Sequence, residues 1–300
     1  METKTLILDA SSYIGGHLFA RLGTERAVAT YYRNPVGNVV YFDALSMSLS
    51  EVVKKTQDIT HAVILIGDTK PDSCASDIRK SHALNVESII SIIKFLKERH
   101  IKPVFTSTES VFDGIKGSYV ETDEVNPILL YGRQKLEIER YLQDYTVDFT
   151  ILRLSKVYGV SPGDGTIFTS WLEQIQRNET ILCSYDQVYS PIYVEDVVDG
   201  IIKAIDTGAG GIFHLSGNKP YKRIEMLEML LSIASEFILQ PVNVVRCSIN
   251  DFGLLEKRPL NVSMVNDKIV KAMGLVPSDA RELCSGMIKK FYTNGAMEYR

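Results

Sequence analysis

Short continuous apolar runs alternate along this chain with longer stretches of helical periodicity. The runs at 5–8, 27–32, 39–42, 61–66 and 149–154 are rich in Leu, Ile and Val, and a similar run lies at 211–217. Apolar runs without polar alternation mark strands covered on both faces, as in a parallel sheet. Helical spacing follows the first run through Leu22 and returns at the amphipathic stretch opened by Asn85-Val86-Glu87. It appears again at 168–177 and 224–237, where Met, Leu and Ile recur at core spacing. Strands alternating with helices predict a Rossmann-type doubly wound α/β fold with a mainly parallel sheet. Residues 1–155 are expected to form the dinucleotide-binding domain, to which the chain returns at about 190–217. Residues 156–300 are expected to form mainly a smaller substrate lobe.

Candidate chemistry concentrates between Thr106 and Arg140. There the sequence reads as the end of a buried strand, a loop, and a helix carrying Tyr131 and Lys135. Four-residue spacing puts phenol and ammonium on one helical face within a turn. An ammonium held there favours the phenolate, so Tyr131 is expected to exchange its proton well below the roughly 10 of a free phenol. Ser107 and Thr108, at the C-terminal end of the strand, carry hydroxyls suited to bond a carbonyl presented to Tyr131. The grouping points to carbonyl reduction or alcohol oxidation. Near the start, Asp9-Ala-Ser-Ser-Tyr-Ile-Gly15-Gly16 joins a strand to a helix. This is the layout in which a helix N-terminus faces a pyrophosphate.

The run Ser107-Thr-Glu-Ser-Val-Phe-Asp-Gly114, then Asn126-Pro127, then Tyr131-Gly-Arg-Gln-Lys135, resembles the extended short-chain dehydrogenase/reductase family. Within it, the likeness is to the dTDP-4-dehydrorhamnose reductase group. The resemblance implies that Thr108 is the catalytic hydroxyl, Tyr131 the general acid, and Lys135 the group that lowers its pKa and holds a ribose. It implies a cofactor loop of Ser11, Ser12, Tyr13, Ile14 and Gly15, in which the group's three glycines are reduced to Gly15. Asp9 brings an unusual backbone angle and a carboxylate near a diphosphate, a repulsion of order 1–4 kcal/mol. Asp43 is expected at the adenine, Ile66 and Gly67 against the cofactor, and Asn85 beside them. Arg33 suits a 2′-phosphate, so the cofactor is NADP or NAD with NADP favoured; an exposed arginine in a turn is its other reading. On the substrate side the resemblance implies Ser107, Val111, Phe112, Gln187 and Lys156, the last replacing a tryptophan. Arg258 is a candidate for the nucleotide diphosphate or for a surface ion pair. No metal is needed.

The implied activity is NAD(P)H-dependent reduction of a nucleotide-linked 4-keto-6-deoxy sugar. An epimerase or dehydratase of the same superfamily is an alternative. So is a non-catalytic regulatory subunit like the β subunit of methionine adenosyltransferase, favoured by Asp9 and Ser12 and opposed by intact Thr108, Tyr131 and Lys135.

Composition narrows the setting. A chain of 300 residues with 45% hydrophobic content can bury one large core or a core plus a smaller lobe. Net charge is −4 with both signs interspersed and no basic run, which argues against a nucleic-acid partner. Cys74, Cys183, Cys247 and Cys284 are scattered without metal-ligand spacing and fit free thiols in a reducing cytoplasm. Neither a signal peptide nor a membrane-spanning run is expected. A homodimer is kept open as the assembly.

Overall fold

The computed structural model describes residues 4–35, 37, 39–53, 58–146 and 148–294. The chain opens with β1 (Lys4–Leu8), α1 (Tyr13–Arg26), β2 (Ala27–Tyr31), β3 (Val40–Tyr41), α2 (Ser50–Val53) and β4 (Ile59–Ile64). Next come α3 (Pro71–Ser76), α4 (Ile78–His82), a π-helical turn at Ala83–Glu87, and α5 (Ser88–Glu98). β5 (Lys102–Thr108), a 3₁₀ turn at Glu109–Val111, α6 (Leu130–Tyr145) and β6 (Thr150–Leu154) complete the first half. The second half runs β7 (Val157–Tyr158), α7 (Ile167–Gln176), β8 (Ile181–Ser184), β9 (Val188–Tyr189), β10 (Ile192–Tyr193), α8 (Val194–Thr207) and β11 (Gly211–Leu215). It ends with β12 (Tyr221–Lys222), α9 (Arg223–Ala234), β13 (Val244–Cys247), α10 (Asp267–Met273) and α11 (Ala280–Asn294).

Seven strands form one sheet in the order β11-β6-β5-β4-β1-β2-β3, and every neighbouring pair is parallel. This is the predicted doubly wound fold. Strand order reverses between β1 and β4, so the crevice outside their C-terminal ends is the binding position such a sheet creates. Period-two alternation divides the core between the two faces. Ile7, Val63, Val104, Leu152 and Phe213 pack beneath α1, α8 and α10. Leu6, Leu8, Ile64, Phe105 and Ile151 face the other way, onto the Ile89-Ile92-Ile93-Leu96 stripe of α5 and Ile138 and Leu142 of α6.

A separate apolar cluster packs α7, α9 and α11 around Trp171, Leu227, Leu230 and Ile288. Among the described residues no helix is long and apolar enough to cross a membrane.

Two expected strands come out differently. The run at 39–42 pairs only over Val40–Tyr41, where both residues are exposed at the sheet edge. The run at 61–66 pairs over Ile59–Ile64 because β1, its neighbour, ends at Leu8 opposite Ile64. Ile66 and Gly67 therefore lie beyond the strand.

Candidate active site

The site is built around α6, whose buried stripe is largely polar. Tyr131, Gln134, Lys135, Ile138, Glu139 and Leu142 recur at three- and four-residue spacing and are all buried. An apolar stripe would dock anywhere on an apolar sheet, whereas these groups need specific partners. Lys135 Nζ donates to the Thr106 carbonyl at 2.9 Å. Gln134 Nε2 donates to Ser81 Oγ at 2.9 Å, and its Oε1 accepts from Asn85 Nδ2 at 2.8 Å. Glu139 accepts from Arg153 Nη2 at 2.7 Å and from Ser107 Oγ at 2.5 Å. Register between α6 and the end of β5 is thereby fixed. A β-carbon on Gly132 would stand 2.1 Å from the Ser110 carbonyl oxygen, so only glycine lets α6 lie against the 3₁₀ turn. At the start of α6, the Leu130 N–H is capped by Glu256 Oε1 at 2.9 Å, a carboxylate from the C-terminal half.

Thr108, Tyr131 and Lys135 line one cleft of about 600 Å³. The Thr108 side chain caps the 3₁₀ turn, accepting from the Ser110 N–H at 3.1 Å, and lies near enough to the Tyr131 phenol to favour its ionised form. Burial raises the phenol above its ordinary pKa, against the opposing pull of Thr108. This corrects the expectation that Lys135 lowers it. The ammonium is turned to Thr106 and stands 6.0 Å from the Tyr131 ring centroid, too far to offset desolvation. Burial also pushes Lys135 down to about 8, against the pull of Cys74 and Glu139.

The first loop borders the same cleft through Ser12, Tyr13 and Ile14. Ser12 caps α1, its Oγ accepting from the Gly15 N–H at 3.3 Å and donating to the Asp9 carbonyl at 2.7 Å. A β-carbon at Gly15 would meet that carbonyl at 2.1 Å, so the turn closes only around glycine. Asp9 adopts φ 77°, and its carboxylate accepts from Ser11 Oγ at 2.7 Å. A tight turn and a helix N-terminus suit a dinucleotide phosphate, and the Asp9 carboxylate, held by the Ser11 hydroxyl, opposes one.

Ser107, Lys156, Gln187 and Arg258 also line the cleft. Ser107 reaches it without its hydroxyl, which strand alternation turns to the opposite side from Thr108, into the Glu139–Arg153 pair. Val111 and Phe112 are core rather than cleft residues. Both are fully buried with Tyr119 and Leu136, and Phe112 stacks on Tyr119 at 4.0 Å between centroids.

Arg258 is paired with Asp72 at 2.8 Å. Asn85 lies behind the cleft, its amide bonded to Asp68 and Gln134, and so braces the 67–68 loop against α6. Leu65 and Thr69 form the wall where Ile66 was expected, while Ile66 packs onto the core. Arg33 and Asp43 lie past β2 and β3. Arg33 is exposed 5.6 Å from the Tyr32 ring, and Asp43 accepts from Ser46 Oγ at 2.8 Å.

Two charged residues of the cleft were not among the expected site residues. Glu109 is 8% exposed, accepts from Ser155 Oγ at 2.6 Å and is pushed up to about 7 by burial. Its place beside Thr108 was the available signal. Arg223 opens α9, and no motif around it marked it.

A parallel doubly wound sheet with a Tyr-Lys cleft at its crossover defines the extended short-chain dehydrogenase/reductase class. The chain belongs to the RmlD substrate binding domain family, whose model matches residues 3–293. It is 26% identical to the dTDP-4-dehydrorhamnose reductase of Aggregatibacter actinomycetemcomitans, over 79% of this chain and 87% of that one. It is 27% identical to the methionine adenosyltransferase 2 subunit beta of Danio rerio, over 66% of this chain and 62% of the other. The solved dTDP-4-dehydrorhamnose reductase of Bacillus anthracis, in complex with NADP, shares the fold. Its TM-score is 0.82 at 22% identity, covering 98% of this chain and 100% of that one.

Proposed function

We propose that this chain is an NAD(P)H-dependent reductase of a nucleotide-linked keto sugar, of the 4-keto-6-deoxy type. The observation that carries the reading is that Thr108, Tyr131 and Lys135 line one cleft that the α1 loop also borders. Similarity to a dTDP-4-dehydrorhamnose reductase over most of both chains supports the substrate class. Ser12, Tyr13 and Ile14 would hold the dinucleotide at the N-terminus of α1, and Lys135 its ribose. A nicotinamide held there supplies hydride to the carbonyl carbon.

Tyr131 gives its proton to the carbonyl oxygen, and burial keeps the phenol protonated for that role at neutral pH. Thr108 orients the phenol. Lys135, pushed down to about 8 by burial, is charged below that pH and holds the end of β5 through the Thr106 carbonyl. Leu129, Leu154 and Phe252 in the cleft wall limit water at the reacting centre. The exposed Arg33 suits a 2′-phosphate and favours NADP. In this reading residues 156–300 mainly hold the sugar nucleotide.

Oxidation of NADPH with a dTDP-linked 4-keto-6-deoxy sugar, followed by absorbance, tests the reading. One equivalent consumed per product separates a reductase from an epimerase that recycles its cofactor. Tyr131→Phe is expected to lower turnover roughly 10²–10⁴-fold with NADPH affinity nearly unchanged. Unchanged turnover would remove Tyr131 from the mechanism, and no turnover by the wild type would favour a regulatory role.

A further inference from the structure

The cleft holds more positive charge than ketone reduction requires. Lys135, Lys156, Arg223 and Arg258 line it, against the single carboxylate of Glu109. Lys135 is bonded to the Thr106 carbonyl and Arg258 to Asp72. Glu109 accepts from the Ser155 hydroxyl and attracts the Lys156 ammonium, although the two form no contact ion pair among the described residues.

Lys156 is exposed to the cleft yet crowded by its walls, and that crowding, with Arg223 nearby, holds its pKa below the ordinary lysine value. Arg223 lies 5.6 Å from the Trp171 ring centroid, and its buried Nε has no hydrogen-bond partner among the described residues. Both cations also wall a second cavity of about 540 Å³, whose remaining polar lining is neutral: Thr166, Ser170, Gln174 and Thr180. They therefore wall both spaces and repel each other, and the two cations face the single carboxylate of Glu109.

We propose that Lys156 and Arg223 form a subsite for a carboxylate carried on the sugar, so that the protein prefers an acidic nucleotide sugar to its neutral counterpart. Their position places the anion on the sugar. Lys156 directly follows Ser155, which holds Glu109, and Glu109 directly follows Thr108. Lys156 lines the same cleft as Thr108 and Tyr131, and its attraction to Glu109 draws the ammonium toward that wall. The inference rests on the nucleotide-sugar reading and departs from its 6-deoxy part, because a sugar with a carboxylate at C6 has no methyl there.

The test is calorimetric titration of the full chain with UDP-glucuronic acid, UDP-glucose and UDP, and with the dTDP counterparts. Wild type, Lys156→Met and Lys156→Arg are compared, and a melting curve for each confirms folding. The acidic sugar is expected to bind roughly ten- to hundredfold tighter than the neutral one, the range of charge-assisted hydrogen bonds. Lys156→Met should erase most of that ratio while leaving the neutral sugar and free diphosphate within about twofold. Lys156→Arg should keep it.

Equal binding of acidic and neutral sugars by the wild type overturns the proposal alone. So does an equal loss of free diphosphate in Lys156→Met, which would assign the cations to the diphosphate. Binding of NADPH but of no nucleotide sugar would overturn the parent reading and this one with it.

Discussion

Glu109 and Glu139 are both buried beside the same strand end, and they meet burial in opposite ways. Glu139 is 0% exposed and has a matched cation, accepting from Arg153 Nε at 3.0 Å and Nη2 at 2.7 Å as well as from Ser107. Arg153 lies over the Phe112 ring at 5.2 Å and touches His214, whose pKa burial drives down to about 3. The pair ties α6 to β6 and β11 underneath the site. Glu109 accepts from a hydroxyl and has the Lys156 ammonium nearby without a contact pair among the described residues, faces the cleft, and is pushed up to about 7 by burial. A buried carboxylate with a full complement of donors is architecture, whereas one with a partial complement in a cleft is available to a ligand.

The largest effect is expected at the architectural member. Glu139→Ala leaves the Arg153 guanidinium buried and uncompensated, which costs about 3–5 kcal/mol in a urea unfolding curve. Replacing the pair together, Glu139→Leu with Arg153→Met, should recover much of that loss, since similar apolar volume removes both desolvation penalties. A loss under about 1 kcal/mol in Glu139→Ala would mean that water reaches Arg153, and the contrast with Glu109 would collapse.

A smaller effect, with a distinct pH signature, is expected at Glu109. Its folded pKa of about 7 lies above the ordinary value of 4.5, so the folded state binds more protons between those limits. Stability must then fall as pH rises through that window, on the order of 3 kcal/mol in total for this group. Glu109→Gln keeps an acceptor for Ser155 and cannot ionise. Its unfolding free energy should lose that downward slope between pH 5 and about 7 and exceed the wild-type value at pH 8. Parallel curves for the two proteins across that range would show that Glu109 is not desolvated.

The same contrast explains what could be read from the sequence. Buried strands announce themselves as apolar runs, and Tyr131 and Lys135 share a helical face by spacing alone, so the sheet and the reactive wall were legible. Ser107 and Thr108 looked equivalent as neighbours, but strand alternation separates their hydroxyls, and the partner that claims Ser107 is Glu139, on the next helix. Val111 and Phe112 looked like cleft residues by motif position, yet Tyr119 and His214 close over the Phe112 ring. Arg223 was invisible because its place at the cleft depends on how α9 docks. Even the Lys135 effect on Tyr131 was misjudged, since spacing reveals proximity and not desolvation.

Asp9 offers the smallest and most diagnostic test, as a third carboxylate with a hydroxyl partner but partly open to water. Its φ of 77° lies in the left-handed region, a strain of roughly 1–2 kcal/mol for a residue with a β-carbon, less for Asp than for most. Asp9→Gly relieves that strain but gives roughly 0.5–1 kcal/mol back through the freer unfolded chain, so net stability should move by less than about 1 kcal/mol. Cofactor affinity separates charge from strain. Because Ser11 already holds the carboxylate, NADPH is expected to tighten at most about tenfold in calorimetric titration, with a gain that shrinks at high salt. Asp9→Asn tolerates the same backbone angle without the charge. An equal gain in Asn and Gly variants would identify electrostatic repulsion, whereas a gain confined to Gly would identify strain. Unchanged affinity in both would place Asp9 with Glu139, as a carboxylate whose neighbours already satisfy it.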